Sequence, residues 1–248
     1  VSIPSSVSYI GYNCFSDCIS LSSIHIPSSV NEIDEGCFYR CTTLSSISIP
    51  TSVSVIGSAC FYFCSSLSSI NIPSSVSEID SCFSWCSSLS SLFIPSSVSF
   101  IGWMCFDECI SLTDLVIDPR NKYYMEEDGA IFNRDKSIIV EYLQSNRRKS
   151  YSIPSTVTCI NSQCFRRCTS LSSLSIPSSV SVMGNSCFSK CSSLTSIHIS
   201  PSVSEIGHMC FCYCSSISSI SIPSSVDKVG HECFYGCTSL SSISIPSS

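Results

Sequence analysis

Residues 26–48 read Ile-Pro-Ser-Ser-Val-Asn-Glu-Ile-Asp-Glu-Gly-Cys-Phe-Tyr-Arg-Cys-Thr-Thr-Leu-Ser-Ser-Ile-Ser, and nearly all of the chain is a variant of this stretch. The next copy begins at Ile49 and the following one at Ile72, so the period is 23 residues. A fixed period within the range of roughly 20–50 residues is typical of a solenoid, in which each turn contacts only its neighbours. The sequence therefore predicts one quasi-linear repeat domain.

The composition is that of a folded protein with little charge. Hydrophobic residues make up 44% of the 248 residues and charged residues 12%, whereas disorder requires low hydrophobicity and high net charge. The net charge of −6 gives no electrostatic reason to bind nucleic acid or an acidic membrane. We find no apolar run near the roughly 18 residues that span a bilayer, and no signal peptide.

Each unit contains the pattern of a half-buried strand. Ile24 and Ile26 alternate with polar residues, and Pro27 then removes a hydrogen-bond donor and ends the strand. The strand-ending isoleucine recurs in steps of 23, apart from one step of 22 before Ile94 and one of 36 before Ile153. Stacked turn on turn, these strands predict a parallel sheet. One phenylalanine per turn should form a buried spine: Phe15, Phe38, Phe61, Phe83, Phe106, Phe165, Phe188, Phe211 and Phe234.

Two further positions predict how the chain turns. The residue after the second isoleucine of each unit is only Gly, Asp or Asn, which tolerate a left-handed backbone, so we expect positive φ there. These residues are Gly11, Asp34, Gly57, Asp80, Gly102, Asn161, Gly184, Gly207 and Gly230. The Cys-Phe-x-x-Cys piece that follows should form one helical or 3₁₀ turn, because it is too short for a stable helix. The predicted class is a β-rich (α+β) repeat solenoid with 23-residue repeats.

The 36-residue step divides the chain into three predicted segments. Residues 1–117 form an N-terminal array, 118–152 an insertion within one extended repeat, and 153–248 a C-terminal array of the same solenoid. Two apolar runs, 130–132 and 138–140, flank a polar turn and predict a β-hairpin. The insertion is either a spacer or a contact site, since insertions in repeat proteins map to one face. Both ends of the chain lie inside a repeat with no polar cap, so we expect an excised fragment or ends covered by other molecules.

The unit Leu-x-x-Ile-x-Ile-Pro-Ser-Ser-Val-x-x-Ile-Gly-x-x-Cys-Phe-x-x-Cys resembles the BspA-type leucine-rich repeat, which usually has Ala-Phe where this chain has Cys-Phe. Tyr123-Tyr124 and the run from Asp128 to Lys136 resemble the recurrent hairpin insertion of that family. The resemblance implies a right-handed leucine-rich-repeat solenoid with its parallel sheet on the concave face and short helical turns on the convex side. It also implies a secreted or surface protein of mucosal bacteria or protist parasites that acts in adhesion or co-aggregation.

The twenty cysteines fall mostly into two columns, at the first and last positions of Cys-Phe-x-x-Cys. We favour reduced, buried thiols, because free cysteine behaves as a small hydrophobe. Disulfides between stacked copies and metal binding are the alternatives, although Cys-x₃-Cys without histidine matches zinc spacings poorly. Cys159 and Cys212 lie outside the columns, at expected outward positions, and are the candidate reactive thiols.

The exposed face of the predicted sheet is the usual binding surface of this class. It forms a mostly hydroxyl-bearing surface that includes Ser23, His25, Ser48, Asn71, Ser175 and His198. One patch differs, at Phe93, Asp114 and Val116, just before the insertion. Aromatic residues and arginine dominate contact energies, so we expect partner binding at this patch and the insertion. The insertion residues in this prediction are Tyr123, Tyr124, Arg134, Arg147 and Arg148.

The sequence offers no catalytic constellation. Nucleophilic catalysis needs one serine singled out by a base and an orienting acid, and the serine lattice singles out none. His208 and His231 lie one turn apart and could approach each other, but two solvated residues are the simpler interpretation. We therefore expect no cofactor and no metal, and a non-enzymatic adhesion module that binds a protein on a host or microbial surface. The alternative is a structural protein that self-assembles into filaments or a coat.

Overall fold

The computed structural model describes residues 2–244, which fall into two compact units that divide between Gly129 and Ala130. The division falls inside the expected insertion, and the boundaries of the three predicted segments stay a prediction. Val1 and residues 245–248, on which the expectation about uncapped ends rests, lie outside the described residues. Each unit is built from successive turns of one repeat, here called coils.

The first unit contains two sets of parallel strands. Its main sheet has five strands in the order β10-β8-β6-β4-β2, and neighbouring coils pair residue for residue, as in Ile24 with Ile47. Shorter strands form a second ladder, in the groups β1-β3-β5 and β7-β9. The strands of this unit are β1 (Tyr9–Ile10), β2 (Ser23–His25), β3 (Glu32–Ile33), β4 (Ser46–Ser48), β5 (Val55–Ile56), β6 (Ser69–Asn71), β7 (Glu78–Ile79), β8 (Ser91–Ile94), β9 (Phe100–Ile101), β10 (Asp114–Ile117) and β11 (Tyr124–Glu127).

The second unit repeats the arrangement behind a hairpin. Strands β12 and β13 pair antiparallel, as the two apolar runs predict, and β13 then pairs parallel with β15 to start the second ladder. The main sheet is formed by β14-β16-β18 and β20-β22. The elements are β12 (Ala130–Asn133), β13 (Ile138–Tyr142), the 3₁₀ turn η1 (Gln144–Asn146), β14 (Ser150–Ser152), β15 (Cys159–Ile160), β16 (Ser173–Ser175), β17 (Val182–Met183), β18 (Ser196–Ile197), β19 (Glu205–Ile206), β20 (Ser219–Ser221), β21 (Lys228–Val229) and β22 (Ser242–Ser244).

The phenylalanine column forms the predicted spine within each unit. From Phe15 to Phe106 the ring centroids are 5.4–6.1 Å apart and the planes nearly parallel. In the second unit Tyr142 stacks on Phe165 at 5.1 Å, and the rings continue to Phe234 at 5.3–5.6 Å. The spacing of one ring per coil keeps each pair in the offset-stacked range of about 4.5–7 Å.

The Cys-Phe-x-x-Cys piece is not helical, so that prediction was wrong. Two residues per coil have positive φ, for example Asn13 at 53° and Asp17 at 57°, and a right-handed helix cannot contain them. The piece is instead a run of turns. Every second amide bonds to the next coil, as Phe15 N donates to the oxygen of Cys37 at 2.8 Å. The alternate amides bond three residues back, as Cys18 N donates to Phe15 O at 3.2 Å, so the hydrogen bonds of the piece are divided between its own turns and the next coil.

The prediction of positive φ at the Gly/Asp/Asn position was also wrong. Gly57, Gly184 and Gly207 have no left-handed backbone, but each lies against the preceding coil. A Cβ on Gly57 would lie 2.6 Å from Glu35 Cα, closer than real Cβ atoms approach a backbone. Glycine is needed at these coils for close approach rather than for a turn.

Serine hydroxyls also join neighbouring coils. The second serine of Ile-Pro-Ser-Ser-Val donates to a valine carbonyl of the coil before it, as Ser29 does to Val7 at 2.6 Å and Ser179 to Val157 at 2.7 Å. The serines that precede the main strands donate in the same way, with Ser68 bonding the oxygen of Ser45 at 3.2 Å. Part of the serine content is thus structural, because it satisfies backbone carbonyls between coils.

Candidate functional site

The patch at Phe93, Asp114 and Val116 is one continuous surface on the main sheet of the first unit. Parallel pairing of β8 with β10 places Val116 directly beside Phe93, and Asp114 beside Ser91. Phe93 and Val116 are 44% and 45% exposed, although neighbouring residues of both strands are buried. A cavity of about 310 Å³ opens between these side chains, lined also by Ser69 and Ile70 of the preceding coil. The sequence indicated these three residues as a candidate binding patch, and in the structure they lie next to one another.

The rest of the sheet face is polar and exposed. Parallel strands carry its side chains in columns, one residue per coil, and β2 pairs with β4 so that His25 lies beside Ser48. These side chains offer hydroxyl, amide and imidazole groups but no apolar anchor, so the Phe93 patch is chemically distinct from them. The exposed residues expected on the main sheets are Ser23, His25, Ser48 and Asn71 in the first unit and Ser175 and His198 in the second.

In the part of the insertion that belongs to the first unit, Tyr123 is 51% exposed, and Tyr124 has a structural role. The Tyr124 hydroxyl accepts a hydrogen bond from the Ile101 amide at 3.2 Å. Buried Asn121 holds this segment in place, since its amide donates to the carbonyl oxygens of Pro95 and Val98 and its oxygen accepts the amides of both tyrosines. Tyr123 remains the exposed candidate of the pair.

Asp118 begins the insertion and is tied to Arg120. The carboxylate is buried and lies 2.8 Å from Nη2 of the exposed Arg120, which also donates through its amide. These hydrogen bonds lower the pKa of Asp118 to about 2. The bend after β10 is therefore fixed by a charged pair that stays ionised at physiological pH.

The arginine candidates lie in the second unit. Arg134 is exposed at the tip of the hairpin, where Asn133 closes the turn by accepting the Ile138 amide at 2.8 Å. Arg147 and Arg148 are exposed after η1, and Arg147 has a left-handed backbone with φ of 42°. A role of these arginines in binding stays a prediction.

Most of the column cysteines are thiols within the core; Cys14 and Cys18 of the first coil are exposed and Cys237 is half-buried. All cysteines lie among the described residues and none forms a disulfide there; the sulfurs of Cys187 and Cys210 are 3.3 Å apart. Most thiols of the second column donate to the phenylalanine carbonyl of the preceding coil, as Cys64 does to Phe38 at 3.1 Å. Burial raises the pKa of Cys37 to about 12 and that of Cys41 to about 11.

The two outlying cysteines differ from the expected outward placement. Cys212 is only 4% exposed, because it follows Phe211 on a turn that packs inward, and Cys159 is half-buried. Burial raises the pKa of both thiols, which lowers their reactivity. Cys14 and Cys18 are the exposed cysteines instead. The reactivity of Cys159 and Cys212 stays a prediction.

His208 and His231 do meet, as their spacing allowed. Their rings stack with centroids 4.9 Å apart, and Nδ1 of His208 accepts the His231 amide at 2.8 Å. The coil before makes the same bond through Asn185, whose side-chain oxygen accepts the His208 amide at 2.8 Å. This ladder accounts for the pair without a metal ion.

A second cavity of the first unit escaped the sequence analysis. Its lining includes Glu78, Asp80 and Phe100, none of which the sequence indicated as a site residue. The signal that could have found it is the 22-residue step before Ile94.

Parallel main sheets, a second ladder of short strands and one buried phenylalanine per coil define the class as a leucine-rich-repeat solenoid. A model of the BspA type leucine rich repeat region matches residues 1–113 and 136–248 with six copies. The chain belongs to this family. No curated protein matches the chain.

Solved structures show the same fold. The pneumococcal vaccine antigen PcpA superposes with a TM-score of 0.85 at 23% identity, covering 98% of this chain and 70% of that one. A leucine rich cell surface protein of Faecalibacterium prausnitzii gives 0.67 at 24% identity, covering 100% and 87%. A leucine-rich repeat protein of Eubacterium ventriosum gives 0.76 at 22% identity, covering 91% and 73%. Among residues 2–244, no helix is long and apolar enough to cross a membrane.

Proposed function

We propose that this chain is a non-enzymatic protein-recognition module of a secreted or cell-surface protein, and that it contacts its partner through Phe93, Asp114 and Val116. The family and the surface proteins among its structural neighbours support the location and the class. The observation that carries the proposal is an exposed apolar pair beside a carboxylate, around a cavity of about 310 Å³, on an otherwise polar sheet face.

The chemistry of the patch indicates how it would bind. Phe93 and Val116 supply apolar area that is lost from water on contact, which gives most of the binding free energy. Asp114 at the edge of the cavity would favour a partner that carries a basic group beside an apolar side chain. Tyr123 and the arginines of the insertion are proposed as additional contacts.

The test is binding of the purified chain to immobilised extracellular-matrix proteins and to epithelial cells. Phe93→Ser and Val116→Ser should each weaken binding by about tenfold or more, as expected for residues at the centre of an interface. Val182→Ser is the matched control, because Val182 is 48% exposed on a short strand of the second unit. Equal losses with the control variant would refute the patch as the contact.

Light scattering across a concentration series separates this function from self-assembly. A recognition module should bind its partner at concentrations at which the chain itself does not polymerise. Regular growth into polymers, without binding to any host or microbial surface, would support the structural alternative instead.

A further inference from the structure

One coil of the first unit is a residue shorter than the others. Its strand-ending isoleucines, Ile72 and Ile94, are 22 residues apart. The missing residue falls in the turn after the second ladder, where Ile79-Asp80-Ser81-Cys82 replaces the longer Ile56-Gly57-Ser58-Ala59-Cys60 of the coil before. The main sheet keeps its pairing, with Ile70 beside Leu92.

The second ladder is interrupted at this coil. Strands β1, β3 and β5 form one group and β7 and β9 another, so β5 and β7 are not paired. The backbone of Asp80 takes the place of the missing residue. Its oxygen accepts the Ala59 amide at 2.9 Å, whereas one coil earlier the Gly36 amide reaches Ser58.

A cavity of about 400 Å³ lies at this interruption. Val55 and Phe100, which are 45% and 46% exposed, form apolar walls on either side. Glu78 and the half-buried Asp80 also line it, and Gly57 contributes no side chain. Among the described residues, none of those that line the cavity is basic.

In the second unit a carboxylate at the position equivalent to Glu78 is paired with a lysine. Glu205 occupies the corresponding ladder position, and parallel pairing places Lys228 of the next coil beside it. The Lys228 ammonium lies 2.6 Å from the Glu205 carboxylate. At Glu78 the next coil supplies Phe100 instead of a lysine. An aromatic ring next to a carboxylate favours an incoming cation, because the face of the ring also attracts positive charge.

We propose that this cavity binds the ammonium group of a lysine side chain from a partner protein. The ammonium contacts Glu78 and Asp80, and its aliphatic stem packs against Val55 and Phe100, which lie one coil before and one coil after Glu78. This site is separate from the Phe93 patch and stands or falls independently of it.

The test is an NMR titration of the intact chain with Nα-acetyl-lysine methylamide. We expect saturable shifts with a dissociation constant in the range of about 1–10 mM, typical of a single side chain. The Nε-acetylated compound, which lacks the charge, should bind at least about tenfold more weakly. The double variant Glu78→Gln/Asp80→Asn should lose binding by a similar factor while keeping its melting temperature.

Glu32→Gln is the matched control, because Glu32 occupies the same ladder position beside Val55 in a full-length coil. Binding should survive this variant, and should also survive Phe93→Ser. Equal binding of the acetylated compound, unchanged binding by the double variant, or tight binding of calcium alone would each overturn the proposal.

Discussion

Glycine at the position after the second isoleucine makes room for the neighbouring coil. At Gly57 and Gly184 an added Cβ would overlap the backbone of the coil before, whereas at Gly11 it would meet only the Tyr9 ring, at 3.4 Å. Asp80 shows the reverse case, since its carboxylate lies where a Cβ on Gly102 would stand. The side chain allowed at this position thus depends on the residue one coil away.

This dependence predicts different outcomes for one substitution at two equivalent glycines. Gly57→Ala should lower the free energy of unfolding by about 3 kcal/mol, because the backbone of the adjacent coil must move. Gly11→Ala should change it by about 0.5 kcal/mol or less. Urea unfolding of both variants measures the difference. Similar changes in the free energy of unfolding for both variants would show that close approach of the neighbouring coil is not why glycine occupies this position.

At the scale of the element, the strands were predictable and the turns were not. Alternation of Ile24 and Ile26 with polar residues gives the strand period directly, and the apolar runs of 130–132 and 138–140 give the hairpin. The left-handed residues, such as Asn13 and Asp17, carry no common residue type, because bonds between coils impose their backbone. Burial of Cys212 depends on the same turn and could not be read from its place outside the columns.

The site was predictable to a similar extent. Phe93 and Val116 stand out because they interrupt a column of polar residues, and pairing of neighbouring coils then places them side by side. The Tyr124 hydroxyl bond to Ile101 depends on how the insertion folds back, so sequence alone could not assign it. The Glu78 cavity lies where one coil is a residue shorter than its neighbours, so the type of residue at Glu78, Asp80 or Phe100 gives no sign of it.

The cysteine columns predict that stability falls as pH rises above about 8.5, the ordinary pKa of cysteine. Burial raises the pKa of Cys37 and Cys82 to about 12, so the unfolded chain loses its thiol protons first and gains stability relative to the folded one. For each such thiol the free energy of unfolding should fall by about 1.4 kcal/mol per pH unit above about 8.5. Urea unfolding under reductant, from pH 7.5 to 9.5, measures the slope.

The control for this slope uses single replacements. Cys37→Ala should reduce the slope by about one proton. Cys14→Ala should leave it unchanged, because Cys14 is exposed. If neither replacement changes the slope, groups other than the buried thiols cause the pH dependence.

At the scale of the whole molecule, the coil is the unit of folding. Strand pairing, ring stacking and the serine and cysteine hydrogen bonds all join a coil to its immediate neighbours. Stability in such an array is approximately a sum of coil terms and interface terms between neighbours. Removal of one complete coil leaves every remaining interface with an equivalent partner.

Deletion of residues 50–72, one full repeat of the first unit, should therefore give a folded protein. The dependence of unfolding on urea should decrease by about one tenth, since this slope scales with the surface exposed. Deletion of residues 50–61, half a repeat, should abolish folding of the unit, because it breaks strand register. Circular dichroism with urea titration compares the two. Equal tolerance of both deletions would contradict coil-by-coil folding.

The shared spacing of 23 residues also makes the array tolerant of a change in length. A chain that gained or lost one whole 23-residue repeat would still place Ile47 and its counterparts beside a residue of the same kind. Each added coil would carry its own exposed side chains on the main sheet, so the binding surface could be enlarged without altering the core that supports it.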